Sequence, residues 1–185
     1  MAVYDNLNDK QKRKLLTIAR LAVKSHINGS RLFSAEKIDE KKLKEKRGVF
    51  VSLYKDGELR GCIGQMDAGN KELWQLTRDM AIAATEDPRF PALQKEELSE
   101  LKHEISVLSP LKRIDDWQVI ELDKHGVMIK YGHNCGVFLP QVARETGWSR
   151  EEFLTNLCSK AGLPVDCYHD NNIEFFIFTA QVFND

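Results

Sequence analysis

The sequence predicts an α+β fold: a largely antiparallel sheet flanked by helices, with room for a small second lobe. Three observations lead there. First, the strongest strand pairings are hairpins, as where Asp56-Gly57 separates two β-rich runs, a pattern that favours a tight antiparallel turn. Second, strands and helices interleave, yet the strongest pairings join consecutive strands through short turns, which argues against a doubly wound parallel sheet. Third, a chain of 185 residues with 42% apolar and 30% charged residues can bury a core without staples while keeping a well-solvated surface.

Along the chain, residues 9–28 read as the first helix. Leu15, Ile18, Ala19, Ala22 and Val23 recur at helical spacing, and Asn28-Gly29 stops the run. Residues 36–47 are a mixed-charge loop with a short helical turn, and the best candidate for a lobe boundary inside a single domain of residues 1–185. Residues 48–54 and 58–63 are the strands of the Asp56-Gly57 hairpin. Residues 70–85 form a second helix with Leu73, Leu76, Met80 and Ala84 on one face, ended by Asp87-Pro88 because a residue before proline is pushed out of the helical region.

Residues 103–108 alternate as a strand. Residues 119–122 and 127–131 flank Asp123-Lys124-His125-Gly126 and read as a second hairpin, after which residues 132–136 turn the chain. Pro140 opens a short helix that Gly147 ends. Ser149 with Glu152 is a capping box for the next helix, stopped at Gly162-Leu163-Pro164. Residues 173–183, rich in aromatic and β-branched types, read as one last strand.

The net charge of −1 hides an asymmetry: residues 1–47 carry 13 Lys/Arg against 6 Asp/Glu. Such a segment fits an anionic partner or, more simply, packing against the acidic remainder of the same molecule. No apolar run reaches the roughly 18 residues of a membrane span. The N-terminus has no signal-peptide pattern, so the cytoplasm is the expected compartment. Cys62, Cys135, Cys158 and Cys167 are accordingly expected as free thiols.

One segment looks built for chemistry, Leu59-Arg60-Gly61-Cys62-Ile63-Gly64. On a regular strand, Leu59, Gly61 and Ile63 share one face and Arg60, Cys62 and Gly64 the other. With Leu59 and Ile63 toward the core, Arg60 lies beside Cys62, and a guanidinium near a thiol favours the reactive thiolate. Gly61 and Gly64 then outline a pocket floor, since strand glycines mark close approach of a ligand or backbone. Arg60 also suits a carboxylate or phosphate. Against this, a free cysteine often packs as a small hydrophobe.

Beyond the second helix, Glu86, Asp87 and Arg89 beside Pro88 could supply an acid/base group and an anion clamp, or be surface caps, with Glu86 and Arg89 as secondary ligand-binding candidates. His133-Asn134-Cys135 and Cys167-Tyr168-His169 lack metal-site spacing, so no metal is assigned, and no motif calls for a cofactor. Trp74, Trp117 and Trp148 read as core anchors. Walker-type, GxGxxG and GxSxG motifs are missing from the sequence, which leaves nucleotide hydrolysis, dinucleotide binding and α/β-hydrolase chemistry unsupported. His103, His125 and His133 are the histidines a fold would have to bring to Cys62.

The glycine-flanked segment resembles the hallmark of the AMMECR family, and four further blocks agree in order: Pro88-Arg89-Phe90-Pro91, Ile105-Ser106-Val107-Leu108-Ser109-Pro110, Phe138-Leu139-Pro140-Gln141-Val142 and Lys160-Ala161-Gly162-Leu163. Tyr168 departs from the tryptophan expected nearby. The resemblance implies an α+β fold with an antiparallel sheet and no settled activity. In microbes it implies association with a Memo-like protein and a radical-SAM protein in a modification pathway.

Three functions follow as expectations. The first is a binding or accessory protein that holds an anionic small molecule, nucleotide or peptide near Arg60, Gly61, Cys62 and Gly64 and serves those partners. The second is a thiol-dependent enzyme with Cys62 as nucleophile. The third, ranked last, is an RNA-binding module using the basic N-terminal segment.

Overall fold

The computed structural model describes residues 6–30 and 38–185. In chain order its elements are α1 (Asp9–Ile27), β1 (Val49–Lys55), β2 (Glu58–Gln65), α2 (Leu73–Ala84), β3 (Lys102–Leu108), β4 (Lys112–Ile114), β5 (Gly126–Tyr131), β6 (Asn134–Phe138), α3 (Gln141–Thr146), α4 (Arg150–Lys160), β7 (Glu174–Phe178) and β8 (Ala180–Asn184). Single helical turns lie at Lys41–Lys44, Lys95–Ser99, Trp117–Val119 and Cys167–His169. This is an α+β fold with two four-stranded antiparallel sheets. Among the described residues no helix is long and apolar enough to cross a membrane.

The chain divides into two compact units, residues 1–108 with 181–185, and residues 109–180. Residues 38–47, part of the stretch where the sequence suggests a boundary, fall inside the first unit, with Leu43 fully buried in its core. Residues 36 and 37 lie outside the described residues.

The first unit carries the sheet β2-β1-β3-β8. Asn8 and Gln11 form a capping box that starts α1, satisfying backbone donors that the helix leaves open. The predicted stripe of α1 is buried, as are Leu73, Leu76, Met80 and Ala84 of α2. Both helices contact the sheet and each other, over Val49, Val51 and Leu53 of β1 and Ile105 and Val107 of β3. The hairpin turn has positive φ at Asp56 (53°) and Gly57 (82°), the twist-matched turn for antiparallel strands.

The second unit carries the sheet β4-β7-β5-β6, with Phe153, Leu154 and Leu157 of α4 fully buried in its core. Pro140 and Gly147 (φ 67°) bracket α3, and Ser149 with Glu152 caps α4, as expected. Trp117 and Trp148 pack at the edge of this core; Trp74 does the same in the first unit. Tyr168 stacks edge-on against Trp117, ring centroids 5.4 Å apart.

Three expectations are corrected here. Residues 119–122 are no strand; β5 pairs instead with β6, across the turn at Gly132 and His133, with Gly132 at φ 57°. Periodicity misled because Ile120 is buried from a loop. The last strand is two strands, β7 and β8, one in each sheet, a division that apolar content alone does not reveal. Finally, Cys158 and Cys167 form a disulfide, leaving Cys62 and Cys135 as the free thiols. The turn after α4 carries Gly162 (φ 72°) and returns the chain until the two Cα atoms are 6.0 Å apart, within bridging range.

Candidate functional site

The site is built on β2, an edge strand of the first sheet. Its register against β1 runs regularly from Val49↔Gln65 to Leu53↔Gly61 and then shifts to Tyr54↔Leu59, leaving Arg60 unpaired. Arg60 is thus the extra residue of a β-bulge, which breaks the two-residue alternation and re-aims the strand. Cross-strand partners share a sheet face. Gly61 and Ile63 therefore face the helices, opposite Leu53 and Val51. Cys62 faces away from them, opposite Ser52, and beyond the bulge Leu59 joins Cys62 on that side, opposite Tyr54. Leu59 is 39% exposed, so the expectation that it points into the core is corrected.

The bulge also separates Arg60 from Cys62. The Arg60 Nε and Nη2 donate to both carboxylate oxygens of Glu97, at 2.9 and 3.0 Å, and Nη1 and Nη2 donate to the carbonyls of Pro91 and Ala92. Both side chains are largely buried. Arg60 first, and burial against it, leaves the Glu97 carboxyl below its ordinary range. This planar fork is spent on fastening residues 91–97 to the strand, and it is not the guanidinium that meets the thiol.

Arg89 takes that place. The loop after α2 runs along the outer edge of β2, where Cys62 has no strand partner for its amide and carbonyl. The Cys62 N–H donates to Asp87 Oδ2 at 2.9 Å, and the Cys62 carbonyl accepts from Arg89 Nη2 at 3.0 Å. Asp87 also accepts from the Arg89 amide, Nε and Nη2. Its side chain is 1% exposed. The Arg89 guanidinium, against burial and with help from the Cys62 and Arg89 amides, holds the Asp87 carboxyl far below the usual carboxylate range. In turn Asp87 first, and more weakly the Cys62 side chain, raise the pKa of Arg89. Arg89 itself stays 59% exposed.

On the face away from the helices, three strands line up a polar row. Cys62 of β2 is opposite Ser52 of β1, and Ser52 is opposite Glu104 of β3. Both backbone groups of Cys62 bond outward to the loop, so its pairing with Ser52 is of the narrow, non-hydrogen-bonded kind that brings side chains close. Ser52 Oγ donates to Cys62 Sγ at 3.2 Å, and Tyr54 Oη donates to Glu104 Oε1 at 3.4 Å. Burial first, then the nearby Glu104 and Cys62, raise the pKa of Tyr54. Cys62 is half-buried.

The glycines act in packing. A Cβ on Gly61 would run into the backbone carbonyl of Ala84, where α2 ends against the strand; one on Gly64 would run into the Phe50 ring. Glu86 turns away from the group and pairs with His26 Nε2 at 2.9 Å. His103 lies opposite Leu53, on the helix side of the sheet and so across it from Cys62. His125 and His133 belong to the second unit, where Cys167 is closed into the disulfide.

Of the predicted residues, Cys62 and Arg89 come together, Arg60, Gly61 and Gly64 do structural work beside them, and Glu86 is paired elsewhere, with His26. Sequence reasoning passed over Ser52, Tyr54, Glu104 and the buried role of Asp87. Counting back from the two-residue turn pairs Ser52 with Gly61; only the bulge moves its partner to Cys62.

Residues 16–183 match the family model AMMECR1. A protein of Methanothermobacter thermautotrophicus is 39% identical over 98% of both chains. Protein MK0488 of Methanopyrus kandleri is 42% identical over 92% of this chain and 86% of its own length. Among solved structures, the uncharacterized protein PH0010 from Pyrococcus horikoshii is similar at a TM-score of 0.87, with 34% identity, over 97% of this chain and 93% of that one.

Proposed function

The chain belongs to the AMMECR1 family, and on that premise we propose that it is a binding or accessory protein whose ligand meets the Cys62 face of the first sheet. One observation carries the reading: Cys62, hydrogen-bonded to Ser52 at 3.2 Å, sits beside a half-exposed guanidinium while its backbone is locked by Asp87 and Arg89. Such a group is pre-organised, so binding it costs little ordering. The anionic end of a small molecule, nucleotide or peptide would lie on Arg89 and its body along Cys62, Ser52 and Tyr54. Arg60 is not part of this contact, because its donors are committed to Glu97 and two carbonyls. The reading keeps the cytoplasmic Memo-like and radical-SAM proteins as the partners served.

Isothermal titration of the purified chain against those two partner proteins from the same genome tests this reading. Arg89→Ala and Cys62→Ala are expected to weaken capture at least about tenfold, the scale of one lost charge-assisted contact. Capture that ignores both substitutions would reject the site.

The Arg89 guanidinium and the Ser52 hydroxyl beside Cys62 favour a second reading, a thiol-dependent reaction at Cys62. Alkylation by iodoacetamide near neutral pH, read by intact mass with Cys62→Ser as control, is expected to exceed that of a model thiol and to slow in Arg89→Ala. A model-like rate in both proteins leaves binding alone.

A further inference from the structure

A cavity of about 500 Å³ lies in the first unit between α1 and the turn at Lys95–Ser99. Cys62, Arg89 and the polar row are not among its lining residues. Its apolar wall is Val23, Leu98 and Leu101, and its cationic rim is Arg20, Lys24 and Lys95, with Glu96 as the opposing charge. Arg20 donates through Nε and Nη2 to Asp185 Oδ2. Lys24 and Lys95, by contrast, form no side-chain ion pair among the described residues.

His103 also lines this cavity and is only 2% exposed. Its Nδ1 lies 3.3 Å from Asp185 Oδ2, and its own amide donates to Asp185 Oδ1 at 2.7 Å. Burial lowers the His103 pKa, and Asp185 only partly opposes this, so the ring is held neutral. Neither Nδ1 nor Nε2 has a hydrogen-bond partner, and both are closed off from solvent. The ring thus closes the cavity without offering it a donor or acceptor, and what the cavity presents to a ligand is its apolar wall and, on the rim, two ammonium groups unpaired among the described residues.

We infer that this cavity binds a small organic phosphate: the phosphate between Lys24 and Lys95, and the carbon body against Val23, Leu98 and Leu101. Lysine suits the phosphate as a mobile point charge on a flexible stem. The apolar wall argues for an organic body over a bare anion, and the cavity lies within the size range of small-molecule sites.

A heteronuclear NMR titration of the full chain with glycerol phosphate, inorganic phosphate and glycerol, at constant ionic strength, tests the assignment. Glycerol phosphate is expected to shift the amides around Lys24, Lys95 and His103 saturably. It should bind more tightly than either other probe. The Lys24→Ala/Lys95→Ala variant should lose about tenfold in affinity, one decade in Kd, while its unshifted amides confirm the fold and its Cys62 alkylation rate stays that of the parent. Shifts that never saturate, that persist in the double variant, or that are matched by inorganic phosphate would overturn the proposal. Because the alkylation rate reports the Cys62 site separately, failure here is distinguishable from failure there.

Discussion

The Asp87 carboxylate accepts the backbone N–H of Cys62 at 2.9 Å, 25 residues away in sequence, from a side chain that is 1% exposed. An edge strand normally leaves such a group to water or to another chain. Here the loop after α2 closes the edge at Cys62, the residue of β2 whose side chain the candidate site uses. Rigidity of the thiol is therefore set by a carboxylate on the neighbouring loop.

Asp87→Ala should destabilise the fold by about 3 kcal/mol, the scale of charged hydrogen bonds lost to a buried acceptor, and Asp87→Asn by less. The folded carboxyl pKa is depressed, so the stabilisation is complete above the unfolded value of about 4 and is lost as pH falls through the folded one. Urea titrations at a series of acidic pH values should show the difference between the parent and Asp87→Asn shrinking toward low pH. A difference that stays constant would contradict an ionised Asp87.

Arg60→Lys should cost about 1–2 kcal/mol, since an ammonium cannot reproduce the two-pronged contact with Glu97 and the carbonyls behind it. Its Cys62 alkylation rate should match the parent. A large change in that rate would return Arg60 to the thiol's environment.

Gly61→Ala should lower stability by about 1–3 kcal/mol, the range for overpacking, because the obstructing atom is the Ala84 carbonyl oxygen of α2. Backbone at a helix end cannot swing aside as a side chain can. Thermal unfolding of the variant reads this directly; an unchanged midpoint would mean that α2 ends elsewhere.

Thiol counting under denaturing, non-reducing conditions should find Cys62 and Cys135 free and Cys158 joined to Cys167. Reduction should destabilise the second unit by about 2–3 kcal/mol, the loop-closure value for so short a separation. Four free thiols in protein purified without reductant would remove the bridge.

Much of the fold was legible because local rules suffice for it. The caps at Ser149 and Gly147, the Asp56-Gly57 turn and the stripe of α1 each depend on neighbours within a few residues. The hairpin misplaced at residues 119–131 shows where such rules fail: a buried loop residue such as Ile120 has the same apolar signature as a strand residue.

By itself the sequence determined the fold class, the boundaries of the capped helices and the segment that carries the candidate site, since turn chemistry, helical periodicity and a glycine-flanked cysteine are local properties. The tertiary structure alone decided which side chains meet. A one-residue bulge at Arg60 shifts the register so that Ser52, not its neighbour in a regular ladder, faces Cys62, and it sends Arg60 to Glu97 and leaves Arg89 beside the thiol. Strand alternation has a period of two, so one extra residue reverses every face assignment beyond it, and such an insertion leaves no trace in composition or spacing.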